Sequence, residues 1–144
     1  MNRKQFLKTC GLACIGGMAA TSLLESCSAA KSVSSTIEGD NLVVPIHDFG
    51  NETDGFRKFV VVNNDLLKFP ICVFRHSAEE YSALWMECTH MGAELQVFGD
   101  TLQCPAHGSE FNNKGIVRNG PADSALRSFP IVLENNLVKI SLKK

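Results

Sequence analysis

The strongest constraint on this chain is a pair of short boxes, Cys88-Thr89-His90-Met91-Gly92 and Cys104-Pro105-Ala106-His107-Gly108-Ser109, whose cysteines are 16 residues apart. Each box supplies one thiol and one imidazole. Together they offer two sulfur and two nitrogen donors, enough to hold one metal centre. A Cys and a His separated by one or two residues can project from a single tight loop, so the fold must bring two such loops together. Gly92 and Gly108 fall where the backbone needs positive φ or close approach, and Pro105 stiffens the second loop. A structural zinc site is the rival reading, since two Cys and two His suit tetrahedral zinc. Common zinc motifs pair like ligands, however, C-x2-C with H-x3–5-H, whereas here each box mixes one Cys with one His.

The pairs C-x-H and C-x-x-H, in this order, resemble the cluster-binding boxes of the Rieske iron–sulfur family. The resemblance implies one 2Fe–2S cluster in which two His replace two Cys on one iron. Cys88 and Cys104 would bind one iron, and His90 and His107 the other. Neutral imidazoles remove two negative charges, which eases reduction. Potentials then run from roughly −150 to +300 mV, against about −400 mV for plant-type all-Cys centres.

The Rieske proteins of cytochrome bc-type complexes carry a further Cys in each box, and these two cysteines form a disulfide. Ala93 and Ala106 stand at those positions here, so no disulfide is expected across the loops. Phe111 stands where that family has a Tyr that hydrogen-bonds a ligating sulfur; it keeps the ring and lacks the donor. Ser109 matches the family Ser whose hydroxyl bonds a bridging sulfide. Gly120-Pro121-Ala122 resembles the Pro-containing third loop that covers the cluster. Keeping Ser109 without the Tyr hydroxyl implies a potential between those of disulfide-containing quinol oxidisers and of ferredoxins with no such Ser.

The N-terminus reads as an export signal. Asn2-Arg3-Lys4-Gln5-Phe6-Leu7-Lys8 resembles the twin-arginine motif, with Lys4 for the second Arg. Residues 9–24 are mostly small or apolar and are broken by Gly11, Gly16 and Gly17. A membrane span needs roughly 20 apolar residues, so this stretch suits a signal h-region. Leu24-Glu25-Ser26-Cys27 resembles a lipobox, which makes Cys27 the expected lipid-modified first residue; a plain cleaved signal or a retained anchor are the alternatives. Twin-arginine export carries folded proteins, which allows a cluster to be inserted before transport. The domain reading is a leader over 1–26, a Ser- and Ala-rich tether over 27–40, and a Rieske domain over 41–144 with a cluster-binding subdomain at about 86–122.

Beyond the tether, short runs rich in Val, Ile and Phe predict strands over 41–46, 58–63, 69–75, 82–88, 94–98, 101–104, 129–134 and 137–142. Gly99-Asp100 and Asn135-Asn136 predict tight hairpins. The pattern is all-β, and the resemblance implies a Rieske-like β-sandwich with an inserted cluster-binding subdomain. Cys72 reads as a buried strand thiol. Tyr81, Trp85, Phe98 and Phe111 read as core aromatics, and His47 and His76 as ordinary surface or satisfied core residues.

A net charge of −1 and the lack of a basic run give no footing for nucleic acid. No second chemistry accompanies the boxes, so the expected activity is one-electron transfer rather than stand-alone catalysis. The imidazole edge is expected to be the exposed one. Three settings compete. The first is a membrane-associated respiratory chain, as part of a quinol-oxidising complex or an associated carrier. Its donor would be quinol or a redox protein, and its acceptor a cytochrome or other redox subunit. The second is the small subunit of a periplasmic molybdenum oxidoreductase resembling arsenite oxidase. The third is a Rieske ferredoxin serving an oxygenase. A zinc-stabilised binding lipoprotein is the non-redox alternative. The expected location is the periplasmic face of a bacterial inner membrane, held by lipid or leader.

Overall fold

Residues 71–74, Ile-Cys-Val-Phe, are all four apolar and all four buried. A strand buried at every position must be covered on both faces. That is the arrangement in the computed structural model, which describes residues 30–143; the leader and Cys27 lie outside it. The described chain is almost entirely β. Its strands are β1 Ser32–Ser34, β2 Thr36–Glu38, β3 Asn41–Pro45, β4 Gly50–Asn51, β5 Gly55–Phe56, β6 Phe59–Asn63, β7 Ile71–Arg75, β8 Tyr81–Trp85, β9 Gln96–Phe98, β10 Thr101–Gln103, β11 Glu110–Asn112, β12 Val117–Asn119, β13 Ser128–Phe129, β14 Ile131–Glu134 and β15 Leu137–Ser141. A 3-10 turn, Ile46–Phe49, follows β3.

The central sheet has the order β1-β6-β7-β8-β13. One face packs on the sheet β14-β15-β3-β2, with Val60, Val62, Ile71, Val73 and Ala83 meeting Leu42, Val44, Val138 and Ile140. The other face carries Cys72, Phe74, Leu84 and Met86, which meet Leu95, Leu102 and Phe111 of the third layer. That layer is the sheet β12-β11-β10-β9. Period-two alternation along β7 and β8 therefore feeds two separate cores. The chain leaves the central sheet after β8, builds the third layer and both boxes, and returns as β13 beside β8.

Two hairpin turns follow their chemistry. Phe98 pairs with Thr101 across Gly99-Asp100, and Glu134 pairs with Leu137 across Asn135-Asn136. Both asparagines take positive φ, 53° and 60°, the type I′ requirement that Asn tolerates. Gly50 is constrained differently. Its φ is +112°, and a Cβ there would lie 2.2 Å from the Gly55 carbonyl oxygen. Gly50→Ala is expected to destabilise the domain by about 2 kcal/mol or more, read as a lowered urea midpoint at unchanged slope; an unchanged midpoint would contradict it.

Two expectations need correction. Within the segment read as tether, β1 pairs in parallel with β6 and β2 pairs antiparallel with β3. These strands are three residues each, and besides the backbone ladder each turns one apolar residue, Val33 or Ile37, onto the core. Lys31 adds a side-chain clamp, its Nζ donating to the Asp48 carbonyl at 2.8 Å and to Asp48 Oδ1 at 2.9 Å. Phe98, read as core, is 58% exposed: on the edge strand β9, Val97 turns inward while Gln96 and Phe98 turn out.

The register also gives the direction of β1. Ser32 is level with Val61, Cys72 and Leu84. β1 runs parallel to β6 toward the end of the sheet where β8 leads into the first box. Lys31 thus lies on the side of Ser32 away from that end.

Candidate metal centre

The two boxes are built as near copies. In the first, Cys88 N donates to the Ala93 carbonyl and Gly92 N to the Cys88 carbonyl, each at 2.8 Å. In the second, Cys104 N donates to the Ser109 carbonyl at 2.8 Å and Gly108 N to the Cys104 carbonyl at 2.9 Å. Each loop thus closes from Cys to Gly over four residues. Gly92 and Gly108 have φ of +72° and +78°, a region costly to side-chain-bearing residues. The first loop sits between β8 and β9, steadied by the Glu87–Glu94 bridge. The second joins β10 to β11. The loops differ in where the His falls, two residues after Cys88 and three after Cys104.

This scaffold sorts the four side chains by depth. Cys88 and Cys104 are each 2% exposed and belong to the core between the central and third sheets. His90 and His107 are exposed, with ring centroids 5.0 Å apart and planes at 90°. The Cys88 thiol lies within hydrogen-bonding reach of Cys104. Burial pushes the Cys104 thiol up, and backbone N–H groups of Ala106 and His107, with the Cys88 thiol, pull it down further, so it ends below the ordinary thiol range. Those N–H groups aim at a sulfur that would carry negative charge.

A third loop locks the boxes. The buried Ser109 hydroxyl accepts the Ala122 N–H at 3.0 Å, which leaves its own hydrogen free to donate. Asn119 Nδ2 donates to the Gly108 carbonyl at 3.3 Å, and Thr89 Oγ1 donates to the Ser124 carbonyl at 2.7 Å. Pro121, exposed and preceded by a cis peptide, lies in this loop. The clasps from Thr89 and Asn119 were not read from sequence, although Thr89 lies inside the first box. Phe111 is fully buried beneath the second loop's strand.

Other candidates lie elsewhere. Cys72 is a buried free thiol in β7, pushed upward by desolvation. His76 Nε2 is 3.0 Å from Ser82 Oγ, and His47 is exposed on the 3-10 turn.

The donors fall into a sulfur pair and a nitrogen pair. Among the described residues no three His, Cys, Asp or Glu side chains converge on one ion position. Two buried thiols within reach of each other and two neighbouring exposed imidazoles make up the donor set of a Rieske-type centre, two Cys on one iron and two His on the other. The residues present therefore fit a 2Fe–2S group.

Comparison with known proteins agrees. A model of the Rieske [2Fe-2S] domain matches residues 41–130, and the chain belongs to that family, whose domain implies one Rieske-type 2Fe–2S cluster. Among solved structures it is similar to the cyanobacterial plasma membrane Rieske protein PetC3 from Synechocystis PCC 6803, at 26% identity and a TM-score of 0.51, over 58% of this chain and 86% of that one. It is also similar to a chain of the complex of reduced oxygenase and oxidized ferredoxin in carbazole 1,9a-dioxygenase, at 24% identity and a TM-score of 0.52, over 71% and 92%. The ferredoxin of carbazole 1,9a-dioxygenase from Nocardioides aromaticivorans IC177 matches at 16% identity and a TM-score of 0.50, over 70% and 95%. A comparison with curated proteins gives no match.

Proposed function

We propose that Cys88 and Cys104 hold one iron and His90 and His107 the other, and that the chain passes single electrons within a membrane-associated respiratory chain. The observation that carries this reading is the sorting of donors by depth, buried sulfurs against exposed imidazoles. When bound, the cluster supplies a one-electron carrier of raised potential. The chain's residues do the rest. The core around Cys88 and Cys104 excludes water from the sulfur side. Ser109 offers a hydroxyl hydrogen there, and the third loop fixes both boxes. His90 and His107 present the edge at which a partner receives or delivers the electron.

Several features support a membrane setting: the twin-arginine-like start, the lipobox-like Cys27, and the 26% identity to a plasma membrane Rieske protein. The ferredoxins, at 24% and 16% identity, bear on the fold alone. Attachment geometry favours one kind of partner. An anchor on Cys27 would leave residues 28–31, four residues that reach at most ~14 Å. A domain this size is about 35 Å across. Because Lys31 lies on the side of Ser32 away from the boxes, the His edge would stand off the bilayer. That favours a carrier working with a peripheral redox protein, such as a cytochrome, over direct oxidation of a quinol within the lipid.

In membranes whose sole copy is Cys104→Ser, electron flow to cytochrome c is expected to fall to background; unchanged flow would contradict the respiratory role. A 12-residue Gly/Ser insertion after Ser28 tests the partner. Turnover is expected to stay within about twofold of wild type. A several-fold gain would show that the short tether holds the His edge from a donor in the bilayer.

A further inference from the structure

Glu87, whose backbone bridges to Glu94, directly precedes the first box cysteine, and its carboxylate is fixed in place. Oε2 accepts the Trp85 indole N–H at 2.8 Å. Oε1 lies 3.8 Å from Lys68 Nζ, and a Cβ on Gly92 would come within 3.3 Å of it. The carboxylate is thus tucked against the first box loop, in the wall of a surface hollow also lined by Cys88, His90 and Arg127. Trp85 is itself held by edge contacts with Phe69 and Phe129, each at 5.9 Å between centroids. The indole therefore acts as a fixed peg for the charge.

Nearby cations compensate it poorly. Lys68 is 75% exposed, and a long, solvated pair of this kind contributes little. Arg127 stacks on the Phe129 ring, 4.5 Å from its centroid. A fixed negative charge beside a centre that gains an electron opposes that gain.

We infer that Glu87, pegged by Trp85, sets the reduction potential of this centre and holds it low. The inference rests on the ligand reading proposed above. It adds a second lowering influence to the missing hydroxyl at Phe111, and it lies on the His90 side of the site rather than the Cys104 side.

The test is a redox titration of the cluster-loaded protein at fixed pH and salt. Glu87→Gln is expected to shift the reduction equilibrium about tenfold toward the reduced form, which for one electron is 59 mV upward. Iron content and EPR line shape should not change, because Glu87 is not a ligand. Trp85→Phe, which frees the carboxylate into water, should shift the potential the same way and by less. Glu94→Gln removes an exposed carboxylate from the other side of the same bridge and should give under a third of the Glu87 shift. A Glu87→Gln potential at or below wild type overturns the proposal, as does an equal shift from Glu94→Gln. If Glu87→Gln fails to take up its cluster, Trp85→Phe decides: an upward shift supports the proposal and no shift overturns it. Wild-type protein without iron and sulfide would instead defeat the ligand reading.

Discussion

Cys104→Ser is expected to yield protein with no iron, no visible colour and no EPR signal. The substitution changes one atom, but the chemistry around that atom is specific. The loop aims the Ala106 and His107 N–H groups at the sulfur and acidifies it, which is what a thiolate ligand needs. A serine hydroxyl ionises far less readily and is a hard donor where iron–sulfur chemistry wants a soft one. Binding that favours the folded state also stabilises it: at a hundredfold excess over Kd the contribution is about 2.7 kcal/mol. In a domain of this size its loss corresponds to a Tm lowered by about 10 °C. Cys72→Ser is the matched control. Cys72 is just as buried but lies in β7 with a thiol whose ionisation burial opposes. It should keep full iron content while losing about 1–3 kcal/mol for the buried hydroxyl. If Cys72→Ser lost the cluster and Cys104→Ser kept it, the ligand assignment would fail.

Opposite shifts of potential are expected from the two residues under the second box. A hydrogen bond to sulfur stabilises the more negative, reduced state. At 59 mV per tenfold, a bond of roughly 1 to 2 kcal/mol corresponds to about 45 to 90 mV. Phe111→Tyr restores a hydroxyl on a fully buried ring and should raise the potential by that amount. Ser109→Ala should lower it by a similar amount. It should also cost about 1–3 kcal/mol of stability, because the buried Ala122 N–H loses its acceptor. Potentiometric titration with urea unfolding separates the two effects. A Ser109→Ala protein that loses stability at unchanged potential would make Ser109 a clasp for the third loop and nothing more.

The boxes were legible because their chemistry and their backbone needs coincide. Cys and His named the candidate donors, and Gly92 and Gly108 marked the positions where each loop turns back on its cysteine. The hairpins at Gly99-Asp100 and Asn135-Asn136 were legible for the same reason, since few residues accept those dihedrals. β1 and β2 were not, because Ser32–Ser34 and Thr36–Glu38 each offer a single inward apolar residue, Val33 or Ile37, too short a run to read as a strand; each is an edge strand completed by its partner, β6 or β3. β11 and β12 were also missed. Their Asn-rich turn at 112–116 reads as loop, and their three-residue strands depend on pairing within the third layer. Glu87 was hidden differently. Its significance comes from Trp85 and Gly92 meeting one carboxylate, and only the folded chain brings those groups together. The third loop shows both cases: Pro121 was visible in the sequence, while the clasp from Thr89 to the Ser124 carbonyl uses a backbone atom that any residue could have supplied.

The central claim is that buried sulfur and exposed nitrogen share one diiron centre. Metal and acid-labile sulfide analysis of the purified protein, with an EPR spectrum after dithionite reduction, tests it most directly. The expected result is two iron and two sulfide per chain and a paramagnetic signal that appears only on reduction. Colourless protein carrying one zinc and no sulfide would contradict it.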